Sequence, residues 1–152
     1  MAYSLSEYVL TESPVLPAPP SAQSKSMVFI ASGAIIKGQW VNLDYAKTSN
    51  EDKLAYATVT DTSGGAIAIG VPAIGVAVES AADGEPVTVV VQGYCEFAAV
   101  ATGSTSGLAL ALDTTTSGRA AIADAANVNI CGIALADAVS NSAPVMVTGY
   151  AF

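Results

Sequence analysis

At 152 residues the chain has the length of one domain, enough to bury a core unaided. Hydrophobic residues make up 52% and charged residues only 12%, which excludes a disordered chain, and a net charge of −8 excludes an electrostatic grip on nucleic acid or an anionic membrane surface. There is no histidine, which removes Ser-His and Cys-His nucleophiles and the commonest metal ligand.

Residues 1–26 read as an extended N-terminal arm. Tyr3, Leu5, Tyr8, Val9 and Leu10 precede a segment with Pro14, Pro17, Pro19 and Pro20. Proline fixes φ and removes amide donors, so this stretch is neither a helix interior nor a central strand and runs as polyproline-like chain. It is either a tail without fixed structure or a strap whose aromatic and aliphatic residues dock on a neighbouring subunit. No basic segment precedes an apolar run, so no signal peptide is expected. The most apolar window, 66–78, is short and contains Pro72, below the roughly 20 residues of a membrane helix.

From residue 27 the pattern is one of short β-prone runs separated by Gly, Asn, Asp and Ser, and residues 27–152 read as a β domain. Strands are expected at 27–31, 39–43, 54–60, 66–71 and 74–79. In 39–43, Trp40 and Asn42 share one face and Val41 and Leu43 the other. Trp40, the single tryptophan, suits a core or interface position. Residues 42–53 are polar and read as an exposed insertion. Further strands are expected at 86–92 and 94–100, then at 108–112, 119–123, 130–136 and 144–150, with a loop or single helical turn at 124–129. No window sustains an apolar helical period over 11 residues. The fold class is all-β, a compact barrel or sandwich of about ten short strands.

The strands repeat. Gly38-Gln39-Trp40-Val41-Asn42-Leu43-Asp44 has the layout of Gly107-Leu108-Ala109-Leu110-Ala111-Leu112-Asp113. Gly75-Val76-Ala77 followed by Pro86-Val87-Thr88-Val89 and Gly93-Tyr94 has that of Gly132-Ile133-Ala134 followed by Pro144-Val145-Met146-Val147 and Gly149-Tyr150. This predicts an internal duplication, with units at about 33–97 and 103–152 and an insertion in the first. The second half carries few charges (Glu96, Asp113, Arg119, Asp124, Asp137), as expected of a surface partly covered by partners.

Residues with chemistry are few. Cys95 and Cys131 form no C-x-x-C pair and read as small buried hydrophobes of a reducing cytosol. Asp44 and Asp113 stand at matching strand ends, where Asp initiates turns; a carboxylate-only hydrolase or lyase would need them to meet in one pocket. Asp83, Asp124 and Asp137 lack calcium-loop spacing, and the glycines match neither a P-loop nor a dinucleotide fingerprint. No catalytic residue, metal, cofactor or small-molecule substrate is expected, and the chain is not expected to be an enzyme.

The Ile74-Gly75-Val76-Ala77 strand, the Pro86-Val87-Thr88-Val89 strand with Gly93-Tyr94, the preceding Gly38-Gln39-Trp40-Val41 and the second Gly132-Ile133-Ala134 unit resemble the small capsid decoration, or cement, proteins of tailed bacteriophages. The resemblance covers roughly residues 32–152; the proline-rich arm and the charged insertion depart from the shorter family pattern. It implies a homotrimer on the outer surface of the virion head, made in the host cytoplasm, that clamps major capsid protein subunits together. Tyr3, Leu5, Tyr8, Val9, Leu10 and Trp40 are then the candidate capsid contacts. The alternative is a head-fibre or adhesin-type module that binds a glycan or host surface, for which Tyr45 and Tyr56 are the candidate aromatics.

Overall fold

The structure, a computed structural model, describes residues 24–61, 72–124 and 130–148. The expected arm contacts, the strand at 66–71, most of the loop at 124–129 and the Gly149-Tyr150 pair lie outside these residues. Nine strands and one short helix occur among the described residues. They are β1 (Lys25–Ala31), β2 (Trp40–Leu43), α1 (Asn50–Ala55), β3 (Tyr56–Val59), β4 (Gly75–Ala77), β5 (Pro86–Ala99), β6 (Ala109–Leu112), β7 (Ala120–Ile122), β8 (Ile130–Ala134) and β9 (Ser142–Val147). The fold is all-β, as the sequence predicts.

The strands are hydrogen-bonded in the order β1-β3-β2-β4-β5-β9-β8-β6-β7, and β1 also pairs with β5. That extra pairing closes the first five strands into a barrel, which leaves them no free edge. The remaining strands follow the same plan. β5 pairs with β9, β9 with β8, β8 with β6 and β6 with β7, and a parallel bridge from Val100 to Ala120 leads back to the end of β5. β5 therefore serves both sets. Its 14 residues enter as the last strand of the first barrel and leave as the first strand of the second. Gly93, at φ 97°, lies between the two halves and takes a backbone conformation that costs a residue with a Cβ.

Register ties the two barrels together residue by residue. Phe29 faces Val87 and Ile30 faces Pro86 in the first; Ala98 faces Ala143 and Ala99 faces Ser142 in the second. Leu43 faces Ala57, and Leu112 faces Ala120. The barrel cores match accordingly. One cluster holds Phe29, Ala31, Val41, Ile74, Val87 and Val89, and the other holds Ala98, Val100, Leu110, Cys131, Ala143 and Val145 at the same places. The second barrel has smaller residues for Phe29, Ile74 and Val87 and larger ones for Ala31 and Val41, so matching places in the two cores are filled by different side chains.

The same registers correct two sequence expectations. Pro86 corresponds to Ser142, not to Pro144; Pro144 takes the place of Thr88, since the Leu135 amide donates to the Pro144 carbonyl as that of Val78 does to Thr88. A slip of two residues keeps every side chain on its face, so the Val-x-Val pattern fits either alignment. The expected exposed insertion at 42–53 also begins too early. Asn42, Leu43 and Asp44 are buried, and the excursion starts at Tyr45. It contains α1, capped by the Ser49 hydroxyl, which accepts the Asp52 amide at 3.0 Å. Asp44 to Tyr56 spans 12 residues (56 − 44) and the matching Asp113 to Arg119 six (119 − 113), so this turn holds half of the first unit's extra length.

Candidate functional site

The seam between the barrels is the most elaborate part of the molecule. Trp40 begins β2 of the first barrel, yet its ring belongs to the core of the second. Its indole Nε1 donates to the Ala99 carbonyl at 3.0 Å and its backbone amide to the Gly118 carbonyl at 2.9 Å. The alternation read from sequence holds: Val41 and Leu43 face the first core, Trp40 the second. Both faces of β2 are buried, because the barrels lie on either side of it. Trp40 is wholly buried, so a partner cannot reach it on the chain as folded; among the candidate capsid contacts it is instead a bolt between barrels. Tyr3, Leu5, Tyr8, Val9 and Leu10 lie outside the described residues.

The chain enters β1 at this seam. The Ser24 hydroxyl donates to the Tyr94 carbonyl at 2.5 Å. Ser24, Ser26, Val78, Val90, Tyr94 and Phe97 border a shallow hollow of about 240 Å³ there. The Lys37 ammonium lies over the ring of Phe97, 3.9 Å from its centre.

The glycines of the duplicated motif owe their place to close backbone approach. A Cβ on Gly75 would stand 2.0 Å from the Val90 carbonyl oxygen, and one on Gly132 would stand 2.9 Å from that of Met146. Val90 and Met146 occupy matching positions on β5 and β9. Any side chain at either glycine would push β4 from β5, or β8 from β9.

Asp44 and Asp113 do not share a pocket; each anchors its own turn. Asp44 Oδ1 accepts the Ala46 amide at 3.0 Å and Oδ2 the Ser32 hydroxyl at 2.6 Å, with Lys47 Nζ 3.8 Å away. Asp113 Oδ1 accepts the amide and hydroxyl of Thr115, both at 2.7 Å, and Arg119 Nε donates to Oδ2 at 2.5 Å. Burial opposes the charge on Asp113, but Thr115 and then Arg119 outweigh it and hold the carboxyl below its ordinary range. Both are turn initiators of the kind expected at a strand end.

Cys95 and Cys131 are buried, unbridged thiols. Burial raises both, and it pushes Cys131 up to about 12. Among the described residues no group of three or more His, Cys, Asp or Glu comes together in a way that could hold a metal. Tyr45 is exposed, whereas Tyr56 lies half-buried beneath the Lys47 ammonium, 4.2 Å from its ring centre. Among the described residues no helix is long and apolar enough to cross a membrane.

What the surface offers is apolar area. Met27, Val28, Ile122, Ile130 and Ile133 are exposed on strands, and Ile36, Leu54, Leu108, Leu135 and Val139 are exposed outside them. Their exposure is not legible in the sequence, because strand alternation does not say which face of a strand a second barrel covers. Such a surface suits a protein held against others.

A family model described as phage cement protein matches residues 22–149. The chain belongs to the phage cement protein family. This cement protein is thus a structural protein of a phage head, associated with the capsid. Among solved structures, it is similar to the crystal structure of the base of head fiber gp8.5 from bacteriophage phi29. The TM-score is 0.55 and the identity 11%, over 86% of this chain and 100% of that one. That likeness is one of fold. A comparison with curated proteins finds no match.

Proposed function

We propose that this cement protein decorates the outer surface of an icosahedral phage head as a homotrimer, bridging major capsid protein subunits and stabilising the shell against internal pressure. The family match over 22–149 carries this reading. The charge supports the outside rather than the lumen, since a net charge of −8 is repelled by packaged DNA. The exposed apolar strand residues support a protein that works by covering and being covered. In this reading the residues before Ser24 are the strap, a shorter arm than the expected 1–26 because Lys25 and Ser26 already belong to β1 and pair with β5. They leave the described fold at the inter-barrel seam, where Ser24 is tied to β5, and Tyr3, Leu5, Tyr8, Val9 and Leu10 dock on the capsid. The role is non-enzymatic: Asp44 and Asp113 are engaged as turn anchors. The protein is made in the host cytoplasm and joins the head there.

Sedimentation with purified heads tests the strap. The full chain is expected to co-sediment at saturating, symmetric occupancy, and a chain lacking residues 1–23, which leaves Ser24 and β1 intact, to lose most of it. Equal occupancy and equal head stability with the two chains would overturn the strap.

The fold shared with the base of a head fibre favours a second reading, a fibre-type module that recognises a glycan or host surface. The exposed Tyr45 would be its contact. Glycan binding by a chain that ignores purified heads would select this reading over the first.

A further inference from the structure

The duplication singles out one surface. In the first barrel a row runs across three strands, from Trp40 on β2 to Val76 on β4 and Val90 on β5. The row points away from its own barrel's core and is buried against the second barrel, with exposures of 0%, 0% and 4%. Register carries it to Ala109 on β6, Ile133 on β8 and Met146 on β9. There the row is uncovered. Ala109 is exposed, Ile133 is 38% exposed and Met146 is half-buried, and Leu135, which matches Val78, is 43% exposed. None of these residues is charged. At the matching place in the same molecule, a row of this kind is occupied by a barrel of this fold.

The surface that does the covering is also duplicated. The second barrel meets Trp40 through Ala99 and Gly118, with Phe97 packed beside them. Carried back by register, Phe97 corresponds to Val28, Ala99 to Ile30 and Gly118 to the residue after Leu54. Val28 is 66% exposed and Leu54 63% exposed. The molecule thus presents both halves of its own inter-barrel contact, unused, on opposite barrels. β5 crosses the internal contact unbroken; between two chains, the end of β9 and the start of β1 would stand in for it.

We propose that the Ala109–Ile133–Met146 row of the second barrel docks on the Val28 and Leu54 edge of the first barrel of another copy. The contact between chains repeats the barrel-on-barrel contact within the chain. It is heterologous, using two different patches, so it closes into a ring where the rotation permits. This deepens the self-association part of the proposed function, and it rests on that part.

The test uses the full chain in solution with two surface variants, Ile133→Asp and Val28→Asp, each checked for native near-ultraviolet circular dichroism. Sedimentation velocity should show the unaltered chain associated. Each variant alone should be monomeric, with self-association weakened about 100-fold or more by a charge forced into an apolar contact. An equal mixture of the two should form a dimer, because each retains the patch the other has lost. Variants as associated as the unaltered chain would overturn the docking face and leave oligomerisation standing. Variants that are monomeric both alone and mixed would overturn the head-to-tail pairing. An unaltered chain that is monomeric free and on heads would overturn the self-association reading itself.

Discussion

The rim of the Trp40 indole lies against Gly132. A methyl group placed on that glycine would stand 3.0 Å from Trp40 Cη2 and 2.9 Å from the Met146 carbonyl oxygen. One glycine thus admits both the tryptophan that bolts the barrels and the strand that pairs with β8.

Gly132→Ala is therefore expected to destabilise the protein by about 1–3 kcal/mol, the usual cost of overpacking a filled core. Trp40→Ala, which leaves a cavity and an unpaired Ala99 carbonyl, should cost about 3–5 kcal/mol. Urea unfolding followed by fluorescence checks both alanine variants against the native chain, except that Trp40→Ala, having lost the single tryptophan, is followed by circular dichroism. A Gly132→Ala chain as stable as the native one would remove the tight contact from the account.

The two thiols should be inert in the folded protein. A thiol reagent is expected to label neither Cys95 nor Cys131 at neutral pH and both in denaturant. Alkali adds a second check. Cys131 is raised to about 12, whereas an unfolded thiol titrates near 8.5, so above that pH the unfolded chain sheds a proton the folded chain keeps. Stability should then fall as pH rises, by up to about 1.4 kcal/mol per unit from this group. Cys131→Ala lacks this loss, so the stability gap between it and the native chain should narrow from pH 8 to pH 10. A constant gap would contradict the burial.

Much of this fold was legible in the sequence, for reasons that particular residues make plain. The Gly-x-Ala strands and the terminal Asp residues recur in the sequence because both follow from backbone geometry, and β4 and β8 hold matching registers in their two sets of strands. Alternation is local, so it puts Trp40 and Val41 on opposite faces. It does not say that both faces are buried, which is why Trp40 reads from sequence as a candidate contact and is a buried residue in the fold. The helix α1 had a signal, Ser49 three residues before Asp52, with Glu51 in the first turn and Lys53 in the last. Six residues are too few to show a helical period. Barrel closure through β1 and β5 joins residues some 60 apart in sequence, and no local pattern carries that information.

Asp113 should account for part of the acid sensitivity. Its folded pKa is depressed, so its contribution is complete above the ordinary carboxylate range, near 3.9, and is lost as pH falls through the folded value. Asp113→Ala removes the acceptor for Thr115 and leaves Arg119 without its partner, at an expected cost of about 1–3 kcal/mol at pH 7. Measured at successively lower pH, that cost should shrink. A cost that does not change with pH would show that the charge of Asp113 is immaterial.

Ser104 occupies the place in the second barrel that Ile35 holds in the first, since its carbonyl accepts the Ala138 amide as that of Ile35 accepts the Ala81 amide; the Ser104 amide itself donates to Ala101. It is buried, and its hydroxyl has no partner among the described residues. Ser104→Ala should be neutral or stabilising, by up to about 1 kcal/mol. Thermal unfolding reads this directly, and a clear loss of stability would mean the hydroxyl is satisfied.

The role proposed for this cement protein is to bind a phage head from outside. The most direct measurement adds the full chain to purified heads that lack it, then reads occupancy by sedimentation and the temperature at which the heads release DNA. The account predicts saturable binding at symmetric surface positions and a higher release temperature. Heads that bind none of the chain, or that bind it and open at an unchanged temperature, would contradict it.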